Sequence, residues 1–378
     1  MAADFIPLHA QLEILLGDLR EGAPAFHLLN VVKLSPGTSG IMSPMRRGSL
    51  IAIVGLLAAV PPMPAGTPSL DAAVKTAETL PRTRSLLVSW RGEIILERYF
   101  HSARATSLAD IKSASKSVIS SLVGIAIERR LLAGVDASIS PYFPDLSDPR
   151  KKRITIADLL TMRSGLGPTS RQNYGAWVQS PNWVRYILNR PLLNPPGQQM
   201  DYSTGNTHLL SAILTKASGH DTWTFAQEAL AKPLGFTLAR WPQDPQGIYF
   251  GGNEMLMTPR EMVKFGELYL HQGRIDGYQI VPSAWVAASF VPRTQSPVSG
   301  HQYGYGWWMD EMEGHPVYYA WGFGGQYIFI VPDLQLVVVT TSSVNLGEDR
   351  REHRNAVYDL VEHQVIGVIG SIAQPVSR

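Results

Sequence analysis

The chain contains no cysteine. That absence removes disulfides, thiolate metal sites and a cysteine nucleophile together. It leaves the compartment open, because a cysteine-free protein is stable in either redox environment. Charge of one sign is also scarce: 33 basic and 31 acidic residues leave a formal charge of +2. No run of either sign forms the basic stripe that a nucleic-acid partner would require. His208, His271, His301 and His315 show no metal-ligand spacing. Internal repeats and low-complexity tracts are missing as well. The apolar run Leu50–Val60 is too short to cross a bilayer.

What is present suits a globular protein. The 378 residues are 45% hydrophobic and 17% charged, enough for one large domain or two smaller ones. Residues 1–41 carry an amphipathic piece (Leu12, Leu15, Leu16, Leu19) that drifts into Ser, Pro and Gly. Residues 42–66 then run basic (Met45-Arg46-Arg47), apolar (Leu50–Val60) and turn-forming (Pro61 to Gly66). That is the order of a secretory signal peptide, with a buried helix or membrane anchor as the alternative. A signal peptide belongs at a chain's start, so translation is expected to begin at Met42 or Met45. Residues 1–41 would then be a poorly ordered, mis-assigned upstream segment, and the mature protein would be periplasmic or extracellular.

From residue 67 to 378 the pattern reads as one α+β unit. A helix over Leu70–Thr79 precedes two β-rich runs, Ser85–Trp90 and Glu93–Phe100, joined at Arg91-Gly92 as a hairpin. Helical patterns follow at Thr155–Met162, Asn182–Leu188, His208–Ser218, Thr222–Leu230 and Thr258–Leu270. Strands return at Tyr305–Met309, Val317–Trp321, Gln326–Val331 and Leu336–Thr341, and a helix over Glu352–Val368 closes the chain. The simplest topology places the first hairpin and the last strands in one antiparallel sheet flanked by the terminal helices. The sheet lobe would hold residues 67–112 and 300–378, and residues 113–299 would form a mostly helical lobe.

Three places could carry chemistry. From Val118 the helix over Asp110–Ile127 has apolar residues at 118, 119, 122, 123 and 126, which predicts one buried face. Ser113 and Lys116 stand at its start, three apart, where they share the first turn. A hydroxyl and an amine so placed suggest an activated serine, although Ser is also a common N-cap. A lysine near its ordinary pKa of about 10.4 is a poor base at neutral pH; lowering it by about three units takes about 4 kcal/mol. The serine reading therefore requires a buried Lys116. Tyr202 sits on a loop between the turn Pro195-Pro196-Gly197 and an apolar helix, where its hydroxyl could relay a proton or simply pack. The run Ala320-Trp321-Gly322-Phe323-Gly324-Gly325-Gln326 enters a strand with three glycines, allowing close backbone approach. An N–H there, paired with that of Ser113, could form an oxyanion hole.

S-x-x-K at a buried helix start, Y-S-T near residue 202 and a glycine-rich strand entry resemble the serine β-lactamase and penicillin-binding-protein superfamily. Longer stretches are similar to its class C-like branch, which contains 6-aminohexanoate-dimer hydrolase and related carboxylesterases. They are Leu159–Leu166, Pro181–Leu188, Pro196–Leu214, Gly251–Met262, Tyr303–Trp308 and Gly322–Gln326. The resemblance covers roughly Leu70 to Val368 and implies a β-lactamase/transpeptidase-like fold. It implies Ser113 as the acylated nucleophile, Lys116 as its base, Tyr202 as the proton relay, and the Ser113 and Phe323 N–H groups as the oxyanion hole. Such hydrolase chemistry is expected to need neither a metal nor an organic cofactor. Tyr174 would touch a small-molecule ester or amide; Trp183 would line the same mouth or pack behind it. Two departures matter. Ala320-Trp321-Gly322 stands where β-lactamases carry Lys-Thr-Gly, so the cation for a β-lactam carboxylate is missing and Trp321 makes that side apolar beside Gly322. Thr204 stands where many members carry Asn, so an amide contact to substrate is weakened or lost. The resemblance leaves a D,D-peptidase or weak β-lactamase, or a non-catalytic envelope protein, as alternatives to an ester or amide hydrolase.

Overall fold

A computed structural model describes residues 68–170, 173–345 and 350–373, all within the compact unit Met63–Arg378. The expectations for residues 1–41 and 42–66 lie outside the described residues. No helix among the described residues is long and apolar enough to cross a membrane.

An eight-stranded antiparallel sheet runs Glu93–Tyr99, Thr83–Trp90, Leu336–Ser342, Gln326–Val331, His315–Gly322, Trp308–Met312, Gln302–Tyr303 and Thr294–Gln295. The sequence-distant strands Thr83–Trp90 and Leu336–Ser342 lie side by side in it, with Leu87 paired to Val339 and Val88 to Val338. Side chains along a strand alternate between faces, and here both faces are covered. Leu87, Ile328, Ile330, Val337 and Val339 point into the larger core, beneath the helical residues. Leu86, Val88, Phe329, Val331 and Val338 point into a second core under the terminal helices. The Asp71–Thr79 helix buries Ala73 and Ala77 there, and Val357, Leu360 and Val361 of the Arg350–Val361 helix join them.

On the opposite face the Pro259–Leu270 helix lies directly on the sheet. A Cβ at Gly266 would come within 2.5 Å of Val337 and 3.0 Å of Ile328. Its start is fixed by a capping box in which Thr258 and Glu261 exchange hydrogen bonds, with Pro259 at the first helical position. The Ile156–Leu160 helix uses the same device through Thr155 and Asp158, and Asn182 caps Trp183–Asn189.

Three differences from the sequence reading have physical causes. The helix expected from His208 starts at Thr204, so Tyr202 lies immediately before the N-cap residue Ser203. The strand expected from Tyr305 starts at Trp308, because Gly306 turns at φ +80° against the Lys116 carbonyl. The Ser115–Glu128 helix is buried on every side from Ser115 to Ala126, not along one face. Its serines allow this: Ser117 donates to the Gly306 carbonyl at 2.6 Å, Ser120 to the Tyr305 carbonyl at 2.7 Å, and Ser121 to the Ser117 carbonyl at 2.9 Å. Buried polar groups are tolerated when each has a partner. The helix Ser283–Ser289 went unread in the sequence.

Candidate active site

Ser113 does not begin an α-helix. It lies in a single 3₁₀ turn, Lys112–Ala114, which runs straight into the Ser115–Glu128 helix. Lys112 enters that turn at φ 49°, held by its N–H on Asp110 Oδ1 at 3.0 Å. Its amine bridges Asp110 at 2.6 Å and Glu254 at 2.8 Å. Burial alone would lower the Lys112 pKa, but the two carboxylates outweigh it and hold the amine above its ordinary value. Ala109–Asp110 also pairs with Leu256–Met257, so the segment before Ser113 is tied to residues 254–257 by charge and backbone alike.

Lys116 follows one turn later and is 2% exposed. Its Nζ is 2.9 Å from Ser113 Oγ, 3.2 Å from Thr204 Oγ1 and 2.6 Å from the Gly252 carbonyl. Burial lowers its pKa to about 7. The Tyr202 phenol interacts electrostatically with Ser113, and its ring centroid is 5.1 Å from Lys116 Nζ. Burial pushes this phenol well above its ordinary range. The two shifts divide the labour: near neutral pH the amine can accept a proton, whereas the phenol keeps its own. Ser113 and Lys116, one turn apart, therefore meet the sequence-distant Tyr202 at one point.

The glycine-rich turn lies against the same point. A Cβ on Gly322 would sit 2.1 Å from the Ile111 carbonyl, so this strand end packs directly on the backbone two residues before Ser113. Phe323 follows in the turn with 47% of its surface exposed. Ala320 is fully buried toward the larger core. Trp321, on the alternate face, meets Trp308 at a ring separation of 6.0 Å, and Trp308 stacks on Tyr202 at 5.6 Å. Trp321 thus extends an aromatic wall that starts at Tyr202.

Tyr174 is drawn into the site through Asn253, whose Nδ2 donates to its hydroxyl at 2.7 Å and to Glu254 Oε1 at 3.1 Å. Trp183 stands one layer behind: only 7% exposed, it packs on Trp177, His208 and Phe250 and donates its indole N–H to the Val178 carbonyl. Of the two roles open to it, packing is the one its surroundings match. Sequence reasoning missed two contacts of Lys116. Thr204 appeared only as a lost amide, yet its hydroxyl meets both Lys116 and, at 3.2 Å, Ser170. The Gly252 carbonyl lies in the run Gly251-Gly252-Asn253-Glu254, which marks a close backbone approach but not the group it meets. A separate cavity of about 350 Å³, lined by Arg84, His101, Arg104 and Ser342 among others, touches Asp110 but not Ser113.

The fold and this cluster place the chain among known proteins. A protein from Bacillus anthracis, provisionally described as a 6-aminohexanoate-dimer hydrolase, superposes with a TM-score of 0.65 at 19% identity, covering 78% of this chain and 82% of that one. A protein from Bacteroides dorei, provisionally described as a β-lactamase, gives 0.68 at 19% identity over 80% of this chain and all (100%) of the other. EstCE1, described as a hydrolase with promiscuous acyltransferase activity, gives 0.61 at 18% over 76% and 98%. At such identities these likenesses define a shared fold. The family model described as Beta-lactamase matches residues 82–362, and the chain belongs to that family. It is a hydrolase-fold member of the β-lactamase superfamily. Among curated proteins, an uncharacterized protein of Alkalihalophilus pseudofirmus is 25% identical over 231 residues; the match spans 56% of this chain and 65% of that relative's length.

Proposed function

We propose that this protein is a serine hydrolase that cleaves carboxylic esters or small amides through an acyl-enzyme on Ser113. The observation that carries the reading is the buried Lys116 amine, 2.9 Å from Ser113 Oγ and shifted to about 7 by burial. In this reading the neutral amine takes the Ser113 proton as Oγ bonds to the acyl carbon. The N–H groups of Ser113 and Phe323 hold the developing oxyanion, an interaction whose loss costs about 2.7–4 kcal/mol in acyl-transfer enzymes. Tyr202, still protonated, hands a proton to the departing alkoxide or amine and regains one from the lysine side. Water then attacks the acyl-enzyme by the same route in reverse.

The surroundings favour a neutral, partly apolar substrate. Trp321 and Gly322 would flank the acyl group on one side, and the Tyr174 hydroxyl would face it from the other. A D,D-peptidase or β-lactamase reading is weaker, because Ala320 offers no cation for a substrate carboxylate. A non-catalytic envelope role is weaker still, since it gives no reason to bury an amine against a serine hydroxyl. An exported protein cut near Ala65 completes the proposal; N-terminal sequencing of secreted material tests it, and a mature chain still carrying Met1 would refute it.

Mass spectrometry of the enzyme with nitrophenyl esters, linear amide dimers and penicillin is the direct test. Acyl adducts on Ser113 and loss of turnover in Ser113→Ala are expected. A Ser113→Ala variant with full activity would overturn the mechanism.

A further inference from the structure

His208 and Asp244 form a buried pair that the proposed chemistry does not use. Both side chains are fully excluded from solvent, with His208 Nε2 on Asp244 Oδ2 at 3.1 Å. The imidazole is enclosed by Trp177, Trp183 and Phe250 at ring separations of 5.7, 5.3 and 5.9 Å. Its other nitrogen, Nδ1, accepts the Gly251 N–H at 3.3 Å. A backbone N–H can only donate and a carboxylate only accept, so these two contacts dictate the tautomer: Nε2 carries the proton and Nδ1 the lone pair. Burial lowers the His208 pKa against the opposing pull of Asp244, which keeps the ring neutral.

The next residue explains why this matters. Gly252 presents its carbonyl to Lys116 Nζ at 2.6 Å. Two successive peptides just before it are pinned: the 249–250 peptide by Ser211 Oγ on the Tyr249 carbonyl at 2.7 Å and by the Phe250 N–H on the Pro242 carbonyl at 2.9 Å, and the 250–251 peptide by Trp241 Nε1 on the Phe250 carbonyl at 3.0 Å and by His208 Nδ1 on the Gly251 N–H. Asp244 in turn fixes its own loop by accepting the Gln246 and Ile248 N–H groups on Oδ1 at 2.8 and 2.9 Å. Gly252, at φ +86°, has no room for a side chain: a Cβ would lie 2.8 Å from Thr207 and 2.9 Å from Lys116 Cγ. A neutral lysine has two N–H donors and one lone pair. With the Gly252 carbonyl and Thr204 Oγ1 taking the donors, the lone pair is left for the Ser113 hydroxyl.

We propose that His208 and Asp244 are positioning residues: they lock the Gly251–Gly252 segment so that its carbonyl aims the Lys116 lone pair at Ser113. This inference rests on Lys116 acting as the base. Around Lys116 stand Ser113, Thr204, the Gly252 carbonyl and the Tyr202 ring; around His208 stand Asp244, the Gly251 N–H and the aromatic rings named above.

Asp244→Asn is the sharpest probe. The amide oxygen belongs at the Oδ1 position, where two backbone N–H groups converge, so the NH₂ would face His208 Nε2. That forces the proton to Nδ1 and sets it against the Gly251 N–H. The expected result is a kcat lower by about 10–100-fold, the penalty typical of a misdirected reacting group, with KM unchanged. The midpoint of Lys116 titration, followed by NMR of its ε-carbon, should fall because the ammonium loses a carbonyl acceptor. An unchanged kcat, or a midpoint that stays or rises, would overturn the inference. His208→Asn and His208→Leu provide the second test. Packing alone would favour Leu at this enclosed site, whereas positioning requires that Asn, which keeps an acceptor near Gly251, retain more activity. Higher activity in the Leu variant would refute the role. ¹⁵N NMR of the wild-type enzyme reads the tautomer without any substitution, and a protonated Nδ1 would also refute it. If Ser113→Ala stayed active, the serine reading would fall, while the Lys116 titration would still report on the positioning pair.

Discussion

Lys116 owes its low pKa to one cause. No charged neighbour contributes among the described residues; burial alone brings the amine to about 7. This has two consequences of defined sign. In the proposed mechanism Lys116 is inactive as a base when protonated, so kcat/KM should rise with pH through about 7 and then level, and a pH–rate profile checks it. Stability follows linkage. The folded pKa lies below the unfolded one, so the unfolded chain binds more protons between about 7 and about 10.4, and wild-type stability gains with pH across that window. Lys116→Met removes the penalty of a buried charge and should abolish hydrolysis. Its stability relative to wild type should be most favourable below pH 7 and should decline toward pH 10. Urea titrations at pH 6 and 9 would show this, and a difference constant with pH would contradict it. Ser113, Lys116 and Tyr202 could be named from the sequence because their chemistry lies in their side chains. The Gly252 carbonyl could not, since every residue has a carbonyl and only the fold decides which one meets an amine.

Elements were legible where local chemistry dictates them and illegible where packing does. The Thr258–Glu261 capping box and the Arg91-Gly92 hairpin are local signals, and both elements formed close to where they were expected. The 3₁₀ turn that carries Ser113 forms where tertiary contacts converge, flanked by the Lys112 ion pairs and the Gly322 contact with Ile111. Gly322→Ala tests that contact. The added methyl would meet the Ile111 carbonyl at 2.1 Å, and backbone cannot yield as a side-chain tip can. The expected outcome is a loss of about 1–3 kcal/mol together with reduced kcat, read by denaturation and ester turnover. Gly124→Ala separates packing from chemistry. There the methyl meets the Trp285 ring at 2.3 Å, within a helix buried on all sides. Stability should fall by a similar about 1–3 kcal/mol, while the pH midpoint of activity stays at its wild-type value.

At the scale of the molecule, the fold alone does not name the substrate, because one fold hosts many reactions. The two faces of the sheet support the neutral-substrate proposal. Alternation along His315–Gly322 sends Trp321 toward the aromatic wall with Tyr202 and turns Ala320, opposite Ile328, into the larger core. In the proposed reading, the position matching the β-lactamase cation is Ala320, which is both neutral and sealed. A charge-assisted hydrogen bond of the missing kind contributes about 1.5–3 kcal/mol. Penicillin acylation should accordingly fall short of nitrophenyl ester turnover by at least the corresponding factor, about 10–150-fold in kcat/KM. The same geometry predicts that a single substitution will not restore β-lactam binding. Ala320→Lys would place an ammonium in a fully buried apolar site, where an unpaired charge costs several kcal/mol. Its expected signature is a lowered melting temperature with no gain in penicillin acylation. An Ala320→Lys enzyme that kept its stability and acylated penicillin faster than wild type would show that this position opens onto the substrate, and the neutral-substrate assignment would have to be withdrawn.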